Sequence, residues 1–99
     1  LKIRSELSAF YPDIQTSRYA SKYADDVEKA DFVNTGMLRC QAKAMERAPN
    51  FQDVLASMPD DEKLNVVFHK RNRQGEVVVM SKADFYKILE IMKSVLNII

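Results

Sequence analysis

The chain of 99 residues is poor in the residue types that define several classes of protein. Its single cysteine, Cys40, excludes an internal disulfide framework and fits a reducing compartment. Two glycines and three prolines exclude collagen-like chains and Gly-rich repeats. The sequence has no signal-peptide pattern and nothing near the ~20 consecutive apolar residues of a membrane helix. We therefore expect a cytoplasmic protein that does not associate with membranes.

The composition is that of a globular domain, with 46% hydrophobic and 29% charged residues. A chain of this length forms one domain, residues 1–99, because domains commonly run to roughly 100–150 residues. Fifteen basic and fourteen acidic residues give a net charge of +1, which by itself indicates no partner. The distribution is uneven: residues 1–62 hold eight basic and eleven acidic residues, whereas residues 63–99 hold seven and three.

Apolar residues recur at helical spacings of three and four along the first part of the chain. The stripes that they form are Ile3, Leu7 and Phe10; Tyr19, Tyr23, Val27 and Ala30; and Val33, Met37, Cys40, Ala44 and Ala48. Asn50 can cap a further short helix, which Pro59 ends. We therefore predict a helical N-terminal part over residues 1–58.

The second part of the chain changes to the composition of strands. Residues 64–70 and 76–80 are rich in β-branched and aromatic side chains. The polar segment between them contains Gly75, which supplies positive φ to a turn. We predict a β-hairpin with strands at about 64–70 and 76–80.

Ser81 opens the best-marked helix of the chain, predicted at about 82–97. The Ser81 side chain can accept from first-turn amides, and Asp84 is favourable beside the positive end of the helix dipole. Together these patterns predict an α+β fold class. A helical N-terminal part over residues 1–58 precedes a hairpin and a long C-terminal helix over residues 63–99.

Residues suited to catalysis are few. Cys40 and His69 could form a nucleophile–base pair. However, Cys40 lies on an apolar stripe, and His69 lies among basic residues at a strand end, where a surface residue is expected. The consecutive carboxylates at 60–62 lack the ligand spacing of a calcium loop, and no zinc or phosphate-loop motif is present. The acidic residues Asp25, Asp26, Glu28 and Asp31 are expected on the solvent-exposed face of a helix. We expect a protein that is not an enzyme and has no metal or cofactor.

The densest basic cluster lies at the predicted hairpin tip. It runs from His69 to Arg73 and includes Lys70 and Arg71. Such a cluster can bind nucleic-acid phosphates, each contact adding salt-sensitive affinity, or can simply keep a turn soluble. Lys70, Arg71 and Arg73 are therefore candidate DNA contacts, and both interpretations stay open.

The C-terminal helix carries more apolar residues than one core-facing stripe requires. The surplus positions are Ile91, Val95, Ile98 and Ile99. Such a helix either contacts a second subunit or another protein, or forms a central core helix wrapped by the N-terminal helices. We favour the interface and expect a homodimer.

The segment 46–96 resembles the Phd/YefM family of type II antitoxins. The resemblance rests on ERAPNFQDVL at 46–55 and on GEVVVMSKADF at 75–85, where a hairpin strand leads into a Ser-capped helix. It implies a DNA-binding protein with a toxin partner, in which Arg47 on the first helix and Lys70 on the hairpin contact operator DNA. Lys70 stands where the family has Arg, and it supplies a point charge without the guanidinium fork.

Two functions of different classes follow. The first is a small, non-enzymatic, antitoxin-like protein that dimerises and contacts DNA through Arg47, Lys70, Arg71 and Arg73. The second is a protein-interaction or assembly domain from a larger protein, with no nucleic-acid role. Salt-dependent binding to duplex DNA separates the two, since only the first predicts it.

Overall fold

The computed structural model describes residues 2–17 and 30–97 of the chain. Three α-helices and five β-strands lie within this described part. In chain order they are α1 (Lys2–Leu7), β1 (Gln15–Thr16), β2 (Phe32–Val33), β3 (Leu38–Ala44), α2 (Phe51–Ala56), β4 (Leu64–Arg71), β5 (Gly75–Met80) and α3 (Lys82–Ile91). A π-helical segment, Met92–Leu96, continues α3.

The larger of two sheets has three strands in the order β3-β4-β5. The central strand β4 runs parallel to β3, with Val66 opposite Cys40, and antiparallel to β5, with Val67 opposite Val79. Parallel strands need a long crossover connection, and residues 45–63 provide it, with α2 in the middle. The carboxyl ends of β3 and β4 therefore lie at the same end of the sheet.

The smaller sheet consists of β1 and β2, paired antiparallel. The backbone of Asp31, directly before β2, joins it to the larger sheet. The Asp31 N–H donates to the Cys40 carbonyl at 2.8 Å, and the Asp31 carbonyl accepts from the Ser17 N–H at 2.9 Å. Asp31 is thus held between β1 and β3 by main-chain bonds on both sides.

The main hydrophobic core lies on the face of the larger sheet that α1 covers. Its buried members are Ile14, Phe32, Cys40 and Val66, with Ile3 and Leu7 of α1 packed against them. Val67 points to the opposite face and is also fully buried. Val66 and Val67, adjacent in β4, are therefore buried on opposite faces, as is usual for the central strand of a sheet that is covered on both sides.

The predicted helical N-terminal part over residues 1–58 is wrong, because most of its described residues lie in strands and loops. The clearest case is 38–44, which forms β3 although Cys40 and Ala44 belong to a stripe of helical spacing. Pairing with β4, a segment more than twenty residues away in sequence, buries Cys40 completely. This non-local pairing overrides the local periodicity.

The other predicted stripes have mixed outcomes. Ile3 and Leu7 lie on α1 and pack on the core, whereas Phe10 is 76% exposed beyond the end of the helix. Tyr19, Tyr23 and Val27 lie outside the described residues. Ala30, the last residue of their stripe, is buried just before β2.

The hairpin and the capped helices lie where the sequence predicted them. The hairpin strands begin and end within one residue of 64–70 and 76–80. Asn50 caps α2, and Ser81 caps α3 by accepting from the Asp84 N–H at 3.0 Å. The C-terminal helix, predicted over 82–97, is α-helical only to Ile91, and Asn97, at a φ of 54°, ends the π-helical segment.

Candidate functional site

The carboxylate of Asp31, directly before β2, bonds to the backbone of β3. Its Oδ2 accepts from the Ala42 N–H at 2.7 Å, so the carboxylate lies against the peptide group that joins Gln41 to Ala42. Burial, and to a smaller extent the negative charge of Asp31, raises the pKa of the Cys40 thiol to about 11. The Asp31 side chain is half-buried and has no ion pair within residues 2–17 and 30–97. One of its two oxygens is therefore available to a ligand.

Gln41 and Lys43 lie on β3 beside Asp31 and share one face of the strand, since alternate residues point the same way. Gln41 is only 9% exposed, and the polar atoms of its side-chain amide, which form no hydrogen bond within the described residues, still reach solvent. Lys43 is half-buried and forms no ion pair among the described residues. We call Asp31, Gln41 and Lys43 the β3 constellation.

The candidate DNA contacts of the hairpin lie at the carboxyl ends of the parallel strands. Lys70 and Arg71 end β4, and Arg73 lies in the turn with a φ of 62°. All three side chains are exposed. The register sets Lys70 opposite Ala44, the last residue of β3, one residue after Lys43. We call Lys43, Lys70, Arg71 and Arg73 the basic edge.

Arg47 is exposed in the loop after β3 and not on a helix, because α2 begins only at Phe51. The placement of Arg47 on a helix, which the antitoxin resemblance implied, is therefore wrong, and its contact with DNA stays a prediction. The Met45 N–H donates to the Lys70 carbonyl at 3.3 Å and holds the start of this loop beside the end of β4. Arg47 thus lies four residues after Lys43, in a loop that begins beside the basic edge.

His69 is buried, which contradicts its prediction as a surface residue. Its Nε2 lies 3.2 Å from the Met45 carbonyl, and its ring packs edge-to-face on Phe51 at 5.4 Å. The register pairs His69 with Lys43, on the face of the sheet opposite Cys40. Cys40 and His69 therefore do not form a nucleophile–base pair, and the buried position predicted for Cys40 is confirmed.

Arg39, also on β3, has a structural role. Its guanidinium donates to both carboxylate oxygens of Asp61, at 3.1 and 2.8 Å, and to the Asn65 side-chain oxygen at 2.9 Å. A further bond, to the Pro59 carbonyl at 3.1 Å, ties the loop before β4 to β3. Because both terminal nitrogens of the Arg39 guanidinium bond to this loop or to β4, we assign these groups to the fold and not to ligand binding.

The positions predicted for a dimer or partner interface are exposed where the structure describes them. Ile91, at the end of α3, is 39% exposed, and Val95 in the π-helical segment is 73% exposed. Ile98 and Ile99 lie outside the described residues. The alternative of a central core helix is therefore not supported at Ile91 and Val95.

Among residues 2–17 and 30–97, no group of three or more His, Cys, Asp or Glu side chains is arranged to hold a metal ion. A metal at the β3 constellation would accordingly take most of its ligands from water and substrate. Nor is any helix in that part of the chain long and apolar enough to cross a membrane.

Sequence reasoning missed the β3 constellation. Asp31 was taken as part of a solvent-exposed acidic run, and Gln41 and Lys43 as part of a helix. The available signal was the Gln-Ala-Lys spacing at 41–43 after the turn residues 34–36, which in a strand puts Gln41 and Lys43 on one face. It has meaning only once 38–44 is assigned to a strand.

Comparison with known proteins adds no relative: no family model, curated protein or solved structure matches the chain.

Proposed function

We propose that this protein binds DNA and hydrolyses its phosphodiester bonds with the help of a divalent cation held at Asp31. The observation that carries the proposal is the half-buried carboxylate of Asp31, which accepts one hydrogen bond through Oδ2 and lies against β3 next to Gln41. The proposal replaces the expectation of a non-enzymatic protein and retains its DNA-binding half.

The donor set suits a hard cation such as Mg²⁺. Carboxylate and amide oxygens are its usual protein ligands, and Mg²⁺ commonly uses only one or two carboxylates together with waters and substrate phosphates. Asp31 supplies the carboxylate, and the side-chain oxygen of Gln41 supplies a neutral ligand. Both residues come from paired backbone, so their positions are fixed before a ligand binds.

Hydrolysis requires a water oxygen to bond to phosphorus while the bond from phosphorus to one ester oxygen breaks. The cation would supply Lewis-acid polarisation of the phosphate and a more acidic bound water. The Lys43 ammonium, two residues from Gln41 on the same face, would offset the negative charge that develops on the phosphate oxygens. The water loses its proton to solvent, and the departing oxygen takes one up from solvent.

The basic edge supplies the affinity for DNA. In open sheets with parallel strands, ligands bind beyond the carboxyl ends of the strands, and the basic edge lies at that end of β3 and β4. Its exposed cations have no ion-pair partner among the described residues, so each is available to a phosphate. Lys43 belongs to both clusters and so connects the binding surface to the site of cleavage.

A second candidate is the non-enzymatic protein with DNA and a protein partner, as the antitoxin resemblance implies. The exposed apolar side chains of Val95 and Leu96 favour a protein contact, either with a second copy or with another chain. DNA binding without cleavage is the outcome that supports this candidate.

Cleavage of end-labelled DNA in Mg²⁺ tests the proposal. Asp31→Asn keeps an oxygen for the Ala42 amide but removes the charge, so the fold is retained while the cation is lost. We expect cleavage to fall by at least about 100-fold, since changing even a group behind a metal ligand can cost that much. The matched control is Asp60→Asn, which removes an exposed loop charge. Cleavage by Asp31→Asn at the wild-type rate would overturn the proposal.

A further inference from the structure

A small cavity of about 160 Å³ opens at the carboxyl ends of β3 and β4, beside α1. It exists because β3 carries alanines there: Ala42 is opposite Phe68, and Ala44 is opposite Lys70. The two small side chains leave a gap over the strand that α1 does not fill. The half-buried ring of Phe68 and the side chain of Ile3 form apolar walls.

The rim of the cavity is mainly cationic. Lys2, Lys43 and Lys70 line it, and Glu76 is the single acidic residue among the described lining residues. The Lys2 ammonium lies 3.7 Å from a Glu76 carboxylate oxygen, in an exposed pair that water and salt weaken. Lys43 and Lys70 have no such partner in the described chain. An apolar interior beneath cations fits a ligand with a flat apolar body and an attached anion.

The cavity volume limits the size of that ligand. Pockets for drug-sized molecules measure roughly 300–1,000 Å³, so this cavity holds one small ring system. A nucleobase has that size and, in single strands, turns out of the stack to pack on aromatic side chains, while its phosphate pairs with nearby cations. A base inside a duplex is paired and stacked and cannot enter.

We infer that this cavity binds one unstacked base of a single DNA strand, and that the substrate is therefore single-stranded DNA or a single-stranded end. The inference rests on the DNA binding of the proposed function and names its substrate class. Lys43 lies in β3 between the two alanines of the cavity, and its side chain belongs to the opposite face of the strand together with Gln41.

Binding of matched oligonucleotides in Ca²⁺ without Mg²⁺ tests this inference. One is a short single strand, the second the same strand with its bases removed at consecutive positions, and the third its duplex. The phosphates are equal in the two single strands, so a difference between them reports the bases alone. We expect the intact strand to bind about tenfold more tightly than the abasic strand, within the range that base–aromatic contacts supply. Equal affinity for the two would overturn the inference.

Ala44→Leu fills the cavity from the exposed end of β3 and should abolish the preference for the intact strand without lowering the unfolding temperature. Ala48→Leu makes the same change in the exposed loop and should leave the preference intact. Phe68→Leu, which keeps an apolar side chain, gives a second test if Ala44→Leu fails to fold. A preference that survives both cavity variants overturns the assignment to this cavity.

The two proposals fail separately. Base-dependent binding without Mg²⁺-dependent cleavage would retain the cavity and reject the catalytic site. Cleavage of duplex and single strand at equal rates, with no base-dependent binding, would do the reverse. Tighter binding of the RNA version of the intact strand would reject DNA as the substrate.

Discussion

Two aspartates of this chain, Asp31 and Asp61, differ in how completely the protein satisfies them. Asp61 receives two bonds from the Arg39 guanidinium and one from the Lys63 N–H. Asp31 receives one bond, from the Ala42 amide. Asp61 is thus a structural carboxylate that is paired with Arg39, whereas Asp31 has an oxygen that can still accept a bond from a ligand.

The structural role of Asp61 makes the stability of the protein sensitive to acid. The hydrogen bond from Arg39 and, to a smaller extent, the one from the Lys63 N–H lower the pKa of Asp61 from 3.8 to about 2. A lowered folded-state pKa contributes stability that is present above the unfolded value and is lost as the pH falls through the folded one. We expect the unfolding temperature of the wild type to drop between about pH 4 and pH 2.

Asp61→Asn should flatten that acid limb and lower the unfolding temperature at neutral pH. Asp53→Asn, an exposed carboxyl at the first turn of α2, is the matched control and should change the acid limb little. Thermal unfolding followed by circular dichroism over this pH range measures both. Identical acid limbs in the wild type and Asp61→Asn would contradict the role given to the Arg39–Asp61 pair.

Among the elements, β3 shows where sequence reasoning stops. The hairpin and α3 were predictable because their signals are local. Runs of β-branched residues lie on both sides of the turn at Gly75, and Ser81 is placed to cap the first turn of α3. The residues of β3 have no such signal, since alanine, lysine and glutamine favour helices. Their conformation depends on pairing with β4, which follows a crossover of 19 residues, 45–63.

The candidate site divides in the same way. Lys70, Arg71 and Arg73 could be predicted because they are close together in sequence. Asp31 and Gln41 become neighbours only through the hydrogen bonds that join Asp31 to Cys40 and Ala42 of β3, so no local pattern pairs them. Gly36, at a φ of 56°, helps to form the turn that permits this pairing, and an added Cβ there would lie 3.1 Å from the Tyr11 ring.

The hairpin end of the basic edge should determine the salt dependence of DNA binding. Replacing Lys70, Arg71 and Arg73 by Ala together should reduce the slope of log affinity against log salt by up to about three units. The protein should remain folded, because exposed charges contribute little to stability. A salt titration of DNA binding measures the slope.

The matched control removes three positive charges away from the hairpin, by replacing Lys63, Lys82 and Lys93 with Ala. These lysines follow the loop before β4 or lie on α3 and its extension. If the control variant loses as much slope as the hairpin variant, the DNA contact is not at the basic edge.

The exposed apolar side of α3 and its π-helical extension should mediate self-association. Val95 is 73% and Leu96 57% exposed, and apolar side chains at such positions gain free energy when a second copy covers them. We expect wild type to dimerise at micromolar concentration in analytical ultracentrifugation, and Val95→Glu to stay monomeric. Lys93→Glu, in the same segment, controls for the added negative charge. A wild type that stays monomeric at high micromolar concentration would contradict this prediction.

For the whole molecule, a net charge of +1 conceals a separation of charge along β4. The acidic residues 60–62 precede the strand, and the basic residues Lys70, Arg71 and Arg73 lie at its carboxyl end and in the turn that follows. Because the strand spans the sheet, its carboxyl end attracts anions and its amino end repels them. The β3 constellation lies toward the attractive end, where β3 and β4 finish together.

The central claim is that Gln41 and Asp31 share a divalent cation, and the dependence of DNA cleavage on Mg²⁺ concentration tests it most directly. Gln41→Glu supplies a second carboxylate in place of the amide, so half-maximal cleavage should need roughly tenfold less Mg²⁺ than in the wild type. Gln41→Leu fills a similar volume without an oxygen and should need more Mg²⁺ and cleave more slowly. If wild type, Gln41→Glu and Gln41→Leu all cleave DNA with the same Mg²⁺ dependence, or if none cleaves at any Mg²⁺ concentration, the cation site at β3 does not exist.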